Sequence, residues 1–276
     1  MDKGLESERI KPALMGVPET MLWPLHNRAD ASRRGLLIQD PLSEHIHALI
    51  DFDYERHFGR PELSHAIRAW WFDRELAEFA WDHPRCVVVQ LGEGLDTQRQ
   101  RLPLPGVVRY SVDMPEALAL RERFMPADEN HRHLACSATD PGWLSAVPTD
   151  RPVFIGAAGL LMYLPPAEVQ LLLQRCRQRF PRALVMFDHI PRWFSARTLR
   201  GWQKTAHWQA PPMPWGVDSD ELAPLMRRWL PDARLQHWYF GDAPLPMRVQ
   251  TMAWRVAGLL PGLRSRLPGI ATVQWG

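Results

Sequence analysis

Residues 86–102 read CVVVQLGEGLDTQRQRL. The apolar run Val87-Val88-Val89 breaks into a turn, Gly92-Glu93-Gly94, and a polar, helix-compatible segment follows. A short β-branched run that ends in a glycine-rich turn has the form of the first strand and loop of a nucleotide-binding α/β unit. Glycines there let the chain bend tightly and let a ligand approach the main chain with no Cβ in the way. A second apolar run follows and ends at Asp113, in YSVDMPEAL, about twenty residues beyond the loop. A carboxylate at the tip of a second strand can accept hydrogen bonds from ribose hydroxyls.

Downstream, strand and helix patterns alternate. The spacing predicts a helix over 115–123, a strand over 133–136, a buried strand over 153–155 and a flexible turn over 156–159. An amphipathic helix over 166–180 and the strand ALVMFDHIP, ending at Asp188, come next. This is the pattern of a parallel sheet with helices on both faces, in which ligands bind outside the carboxyl ends of the strands. Asp113, Asp140 and Asp188 all fall at such ends. Upstream, helices are predicted over 19–48, with a restart after Asp40-Pro41, and over 61–82, where Leu63, Ile67, Trp70, Trp71, Leu76 and Phe79 recur at near-helical spacing. Residues 1–83 therefore read as a helical extension or lid before a nucleotide-binding unit at 84–276. The last part holds a helix over 218–229 and strands over 234–240 and 270–275.

A chain of 276 residues suffices for one large core. Its net charge of +2 argues against a partner held by phosphate neutralisation, so no nucleic acid is expected. Cys86, Cys136 and Cys176 form no metal or CxxC spacing and read as buried thiols. No stretch approaches the roughly 18 apolar residues of a membrane span, and the N-terminus has no signal-peptide core, so the expectation is a cytoplasmic protein. The 26 prolines concentrate after about residue 140, as in PPMPWG (211–216) and DAPLPM (242–247), with apolar residues and several of the 13 tryptophans interleaved. That mixture predicts long, shaped connections rather than disorder, and an insertion over about 191–230.

The blocks ETMLWPLHNRADASRR, HAIRAWWFDRELAEF, VVVQLGEGLDTQRQRL, YSVDMPEALALRE, SATDPGWL, LLMYLPPAEVQLLL, LVMFDHIP and PPMPWGVDSDEL, in this order, resemble the leucine carboxyl methyltransferase family. Within it they are closest to the bacterial branch resembling the tetracenomycin polyketide O-methyltransferase. The resemblance implies a Rossmann-like class I methyltransferase sheet and S-adenosyl-L-methionine as cofactor. It also implies that Arg68 grips the cofactor carboxylate, that Gly92, Glu93 and Gly94 form the loop under its methionine part, and that Asp113, with Met114 beside it, takes the ribose hydroxyls. Ala138 and Asp140 would lie at the adenine, Tyr163 near the cofactor, and Ala158 where the family's contact to the cofactor ammonium, or a catalytic contact, is made. Three positions depart from the family pattern: Gln98 replaces an arginine, Ala158 a glutamate, and Glu93 a smaller residue. Glu93 is a candidate to replace the carboxylate missing at 158.

A methyl donor brings its own electrophile, so the protein's task is to position and enclose. An acceptor carboxylate needs no base, whereas a phenol benefits from one. Tyr163 and His189 are the catalytic candidates, with His133 a second possible base. No metal is expected: the His131/His133 pair reads as a helix-to-strand connection. Trp193, Trp202, Trp208 and Trp215 are expected to form a flat apolar pocket over an aromatic or planar small molecule. The expectation is thus an O-methyltransferase of a small specialised metabolite with a carboxylate or hydroxyl acceptor, acting as a monomer or homodimer. The alternatives are a protein C-terminal carboxyl methyltransferase and a non-catalytic relative that binds the cofactor or a metabolite. A nicotinamide enzyme is disfavoured because the loop lacks a full GxGxxG.

Overall fold

The Val87-Val88-Val89 run lies in strand β1 (Val87–Leu91), buried at every position, as a strand covered on both faces must be. The computed structural model describes residues 9–245 and 259–276; the first eight residues and the end of the DAPLPM block lie outside the described residues. β2 (Val108–Asp113), β3 (His131–Ala135), β4 (Val153–Ala157) and β5 (Ala183–His189) run parallel to β1. A small hairpin, β6 (Gln203–Thr205) and β7 (Trp208–Gln209), stands apart. β8 (Arg234–Tyr239) and β9 (Gly269–Trp275) complete a sheet of order β3-β2-β1-β4-β5-β9-β8. The parallel expectation holds for the first five strands and is corrected for the last: β9 is antiparallel to both β5 and β8. The chain moves outward from β1 to β3 and then returns to β4 on the other side of β1. That reversal opens a crevice at the carboxyl ends of β1 and β4.

Side chains alternate across the strands and create two cores. Val87, Val89 and Leu91 pack with Tyr110, Ile155, Val185 and Val273 beneath α8 (Pro166–Arg179) and α10 (Ser219–Trp229). Val88, Phe154, Leu184 and Met186 pack on the opposite face against Ile67, Trp71, Phe72 and Leu76 of α4 (Ser64–Asp82). The boundary at residue 83 therefore falls between α4 and the sheet face that it covers. A third cluster joins α1 (Leu22–Arg33), α2 (Pro41–Leu49) and α3 (Tyr54–Phe58) to Leu95, Met162 and Ile190, which follow the ends of β1, β4 and β5.

A buried ionic seam ties these N-terminal helices to the loop after β1. Asp40, the N-cap of α2, accepts from Ser43 N and Oγ and from Thr97 Oγ1. Arg101 sits 2.9 Å from Asp40, 2.8 Å from Asp73 and 2.8 Å from Asp96, and Arg28 donates to the Leu95 carbonyl at 2.8 Å. Burial alone would raise the Asp96 pKa, but Arg101 and Arg28 hold it well below the usual carboxylate range. Removing one member of such a seam strands its partners and costs about 3–5 kcal/mol.

Other local expectations shift. The 61–82 helix starts at Ser64, and ahead of it the Glu62 N–H donates to Asn27 Oδ1 on α1. His131 and His133 lie within β3 rather than in a connection to it. The short elements α3, α5 (Gln98–Arg101), α7 (Gly142–Ala146) and α9 (Arg192–Leu199), and the hairpin, carry too little periodicity to be read in advance. Helix α6 (Pro115–Glu122) matches its expected span closely.

Candidate active site

Two cavities meet at the carboxyl edge of the sheet. The first, about 320 Å³, lies over the β1, β2 and β4 ends, and Arg68, Gly92, Gly94, Asp113, Met114, Ala138, Ala158 and Tyr163 are among the residues that line it. The sequence-predicted set is thus largely brought together. The loop geometry explains why. Gly94 has φ +52, and a Cβ there would stand 2.8 Å from the Met21 Cβ, so the loop is pressed under the N-terminal segment and requires glycine. Its N–H donates to Asp113 Oδ2 at 2.7 Å, and the Met114 N–H donates to Asp113 Oδ1 at 2.8 Å. Burial pushes the Asp113 pKa up, and these two N–H groups oppose that rise. Each oxygen keeps lone-pair capacity for a further donor, which is what a sugar diol requires.

Two predicted residues are held by other groups of the protein. Glu93 also borders this cavity, but its carboxylate is engaged: it accepts from Ser111 Oγ and pairs with Arg121 Nη2 at 3.0 Å. Arg121 in turn donates to the Gly94 and Asp96 carbonyls at 2.8 Å each. Glu93 braces the loop from the rear and is not free to replace the carboxylate missing at Ala158. Asp140 accepts from the Gly142 N–H at 2.7 Å at the start of α7 and does not line the cavity, whereas Ser137 and Ala138 do. Gln98, in place of an arginine, lines the same cavity and accepts at Oε1 from Gln90 Nε2 at 2.5 Å.

The second cavity, about 460 Å³, is lined by Trp23, Met162, Trp193, Phe194, Trp202, Met213 and Phe240, among others. It shares Thr20, Pro24, Arg68, Gly159 and Tyr163 with the first. At this junction Asp188 Oδ2 accepts from Arg68 Nη1 at 3.0 Å, and Asp188 Oδ1 accepts from the Gly159 N–H at 2.6 Å. Gly159 has φ +69, and a Cβ there would lie 2.5 Å from Arg68 Nη1; only glycine lets the guanidinium pass. Burial pushes the Tyr163 pKa up to about 12, so it stays a phenol and a donor at neutral pH.

Of the four tryptophans expected in the pocket, Trp193 and Trp202 line it. Trp208 and Trp215 are core residues instead, packed against Phe58 and Phe187. Trp23, from α1, supplies a wall that the sequence reading missed. His189 lines this cavity, but both ring nitrogens are engaged: Nδ1 donates to the Val217 carbonyl at 3.0 Å, so Nε2 accepts from His237 Nε2 at 2.9 Å. Burial lowers its pKa to about 4. With its lone pair occupied, His189 does not fit the role of base expected for it. His133 is bound to Glu122 and is away from both cavities.

Among the described residues no group of histidine, cysteine and carboxylate side chains suits a metal ion, and no helix is long and apolar enough to cross a membrane.

Residues 26–177 match the family described as Leucine carboxyl methyltransferase. The chain is 30% identical over 261 residues to the tetracenomycin polyketide synthesis O-methyltransferase TcmP of Streptomyces glaucescens, covering 91% of this chain and 94% of that one. It is 31% identical over 200 residues to the S-adenosyl-L-methionine-dependent methyltransferase dpfgK of Gibberella zeae, covering 65% of each chain. Among solved structures, the plantazolicin methyltransferase BamL, in complex with a triazolic desmethylPZN analog and SAH, superposes with a TM-score of 0.53 at 12% identity. The alignment covers 93% of this chain and 98% of that one, a likeness of fold.

Proposed function

The chain belongs to the leucine carboxyl methyltransferase family and is an S-adenosylmethionine-dependent methyltransferase, and from that premise we propose that it methylates an oxygen, a carboxylate oxygen in particular, of a small planar aromatic metabolite. The observation that carries this reading is the junction of the two cavities at Arg68, Gly159 and Tyr163. A ligand in the first cavity and a flat molecule in the second would meet there.

In this reading Asp113 binds the ribose hydroxyls. Gly92 and Gly94 pass beneath the amino-acid part, and Ser137, Ala138 and Met114 border the base. Arg68, oriented by Asp188, holds the cofactor carboxylate with the guanidinium edge that Asp188 leaves free. S-adenosylmethionine, when bound, supplies the electrophilic methyl group on a sulfonium. The protein holds the acceptor in line with it, excludes water and keeps the Tyr163 hydroxyl at the junction as a donor.

The choice of a carboxylate over a phenol follows from the histidines. His189 has no free lone pair, so it cannot deprotonate a phenol whose pKa is about 10, whereas a carboxylate arrives ionised. The name of the Streptomyces relative, an O-methyltransferase of polyketide synthesis, supports an oxygen acceptor on a small metabolite. The aromatic walls also favour a small planar molecule over a protein chain terminus.

The test is to incubate the protein with S-adenosylmethionine and planar aromatic acids, and to look by mass spectrometry for the gain of one methyl group. A methyl ester, cleaved by mild alkali, is expected. A base-stable methyl ether would overturn the carboxylate assignment, and no product from any aromatic acid or phenol would overturn the substrate class.

A further inference from the structure

One polar group in the second cavity has no task in the reading above. His65 stands one turn before Arg68 on α4, on the same face of the helix. Its Nδ1 lies 2.7 Å from Asn27 Nδ2. The orientation of that amide is fixed from its other side, because Asn27 Oδ1 accepts the Glu62 N–H at 3.1 Å. The Asn27 amide nitrogen therefore donates, and His65 Nδ1 must accept. A neutral imidazole that accepts at Nδ1 carries its proton on Nε2. The ring is kept neutral: burial lowers its pKa well below the usual value, and the nearby charges of Arg68, Arg28 and Lys204 push the same way. Among the described residues the Nε2–H has no hydrogen-bond partner, and His65 lines the second cavity.

The surroundings of His65 add shape and charge. Its ring meets Trp23 edge-on at 5.0 Å. The Lys204 ammonium, carried by the hairpin, lies 4.5 Å from the Trp23 ring centroid and 5.9 Å from that of Trp202. Lys204 is largely buried and pairs with the more exposed Glu62. Two indole faces thus share an edge that carries a directed N–H donor and a cation whose Glu62 partner also borders the cavity.

We infer that this edge is a recognition site for a second anionic oxygen group on the planar substrate, distinct from the oxygen that is methylated, with the His65 Nε2–H giving direction and Lys204 giving charge. The inference rests on the aromatic-cavity reading above and names the substrate class more closely: a planar acid with a second acidic substituent. His65 is here a specificity residue; it moves no proton. Asn27 acts through it, as the group that fixes its tautomer.

The experiment uses the full chain saturated with S-adenosylhomocysteine and two probes, 2-naphthoate and 2,6-naphthalenedicarboxylate, with binding read from tryptophan fluorescence. The dicarboxylate is expected to bind about tenfold more tightly, the scale of one charge-assisted hydrogen bond. His65→Phe is expected to bring the ratio of the two affinities to about one. His65→Gln, whose amide can accept from Asn27 and donate into the cavity, keeps most of it. Lys204→Met lowers the ratio about threefold and weakens its salt dependence. In ¹⁵N spectra of histidine-labelled protein, His65 should show a protonated Nε2 and a bare Nδ1, and only the dicarboxylate should shift Nε2. A ratio of one in the unmodified protein, a ratio untouched by His65→Phe, or the opposite tautomer would each overturn the inference. If 2-naphthoate itself does not bind, the aromatic-cavity reading falls as well. If it binds and the second carboxylate adds nothing, only the present inference falls.

Discussion

The two cavities share an edge but are built by different means. The first is made at the ends of three adjacent parallel strands, largely from turns: the Gly92–Gly94 loop, the Asp113–Met114 corner and the Ala158–Gly159 turn. Main-chain N–H groups fix its Asp113 carboxylate, and an ionic seam behind the loop holds the whole in place. The second is made of side chains drawn from α1, α4, the end of β5, α9 and the hairpin. A cavity built on backbone resists change, because altering it disturbs the sheet. A cavity built on side chains can be reshaped by substitution while the first stays intact. One scaffold can therefore keep a single cofactor and vary its acceptor.

The comparison breaks most visibly if the first cavity tolerates loss of the Asp113 carboxylate. Asp113→Ala is expected to weaken S-adenosylhomocysteine binding about 100-fold by calorimetry, the scale of two hydrogen bonds to a charged group. A change below about threefold would remove the sugar from this corner. Next is Glu93→Ala, which separates brace from contact. It should cost about 2 kcal/mol of stability in denaturant unfolding by leaving Arg121 without its carboxylate, while cofactor affinity stays within about threefold. A large affinity loss with normal stability would restore Glu93 to the cofactor.

On the other side of the shared edge, Trp202→Ala should weaken an aromatic acid about tenfold, as expected for loss of a stacking wall, and leave S-adenosylhomocysteine binding alone. The smallest effect is on pH dependence. Burial holds His65 neutral, and with it His189, lowered to about 4, and His237, lowered to about 3. Unfolded, each would take up a proton near pH 6.5. Their contribution to stability is therefore complete above that pH and is lost as pH falls towards the folded values. Glu75, raised to about 7 by burial, acts in the opposite sense as pH rises. The melting temperature should fall by a few degrees between about pH 6.5 and 5, and a flat profile there would mean that these imidazoles are already solvated.

The first cavity was legible in advance because its signals are local. A β-branched run, two glycines and a carboxylate one strand later lie within residues 87–113, and the parallel sheet leaves little freedom in where they meet. The orientations of Glu93 and Asp140 were not legible, because a residue beside a binding loop can point either way. Their direction was set by Arg121, 28 residues on, and by the Gly142 N–H. The second cavity was only half legible. Tryptophans are large wherever they occur, and nothing in the sequence separates Trp202, which faces the cavity, from Trp215, which packs on Phe187.

Sequence by itself determined the alternation of strand and helix, the glycine turn and the carboxylate at the second strand's tip, because backbone preference and hydrophobic period act over a few residues. Tertiary structure alone decided that Asp188 orients Arg68 across 120 positions, that Asn27 sets the tautomer of His65, and that His237 occupies the lone pair of His189. Each of those is a contact between groups far apart in the chain, and the direction of a hydrogen bond exists only once the fold has brought donor and acceptor within reach.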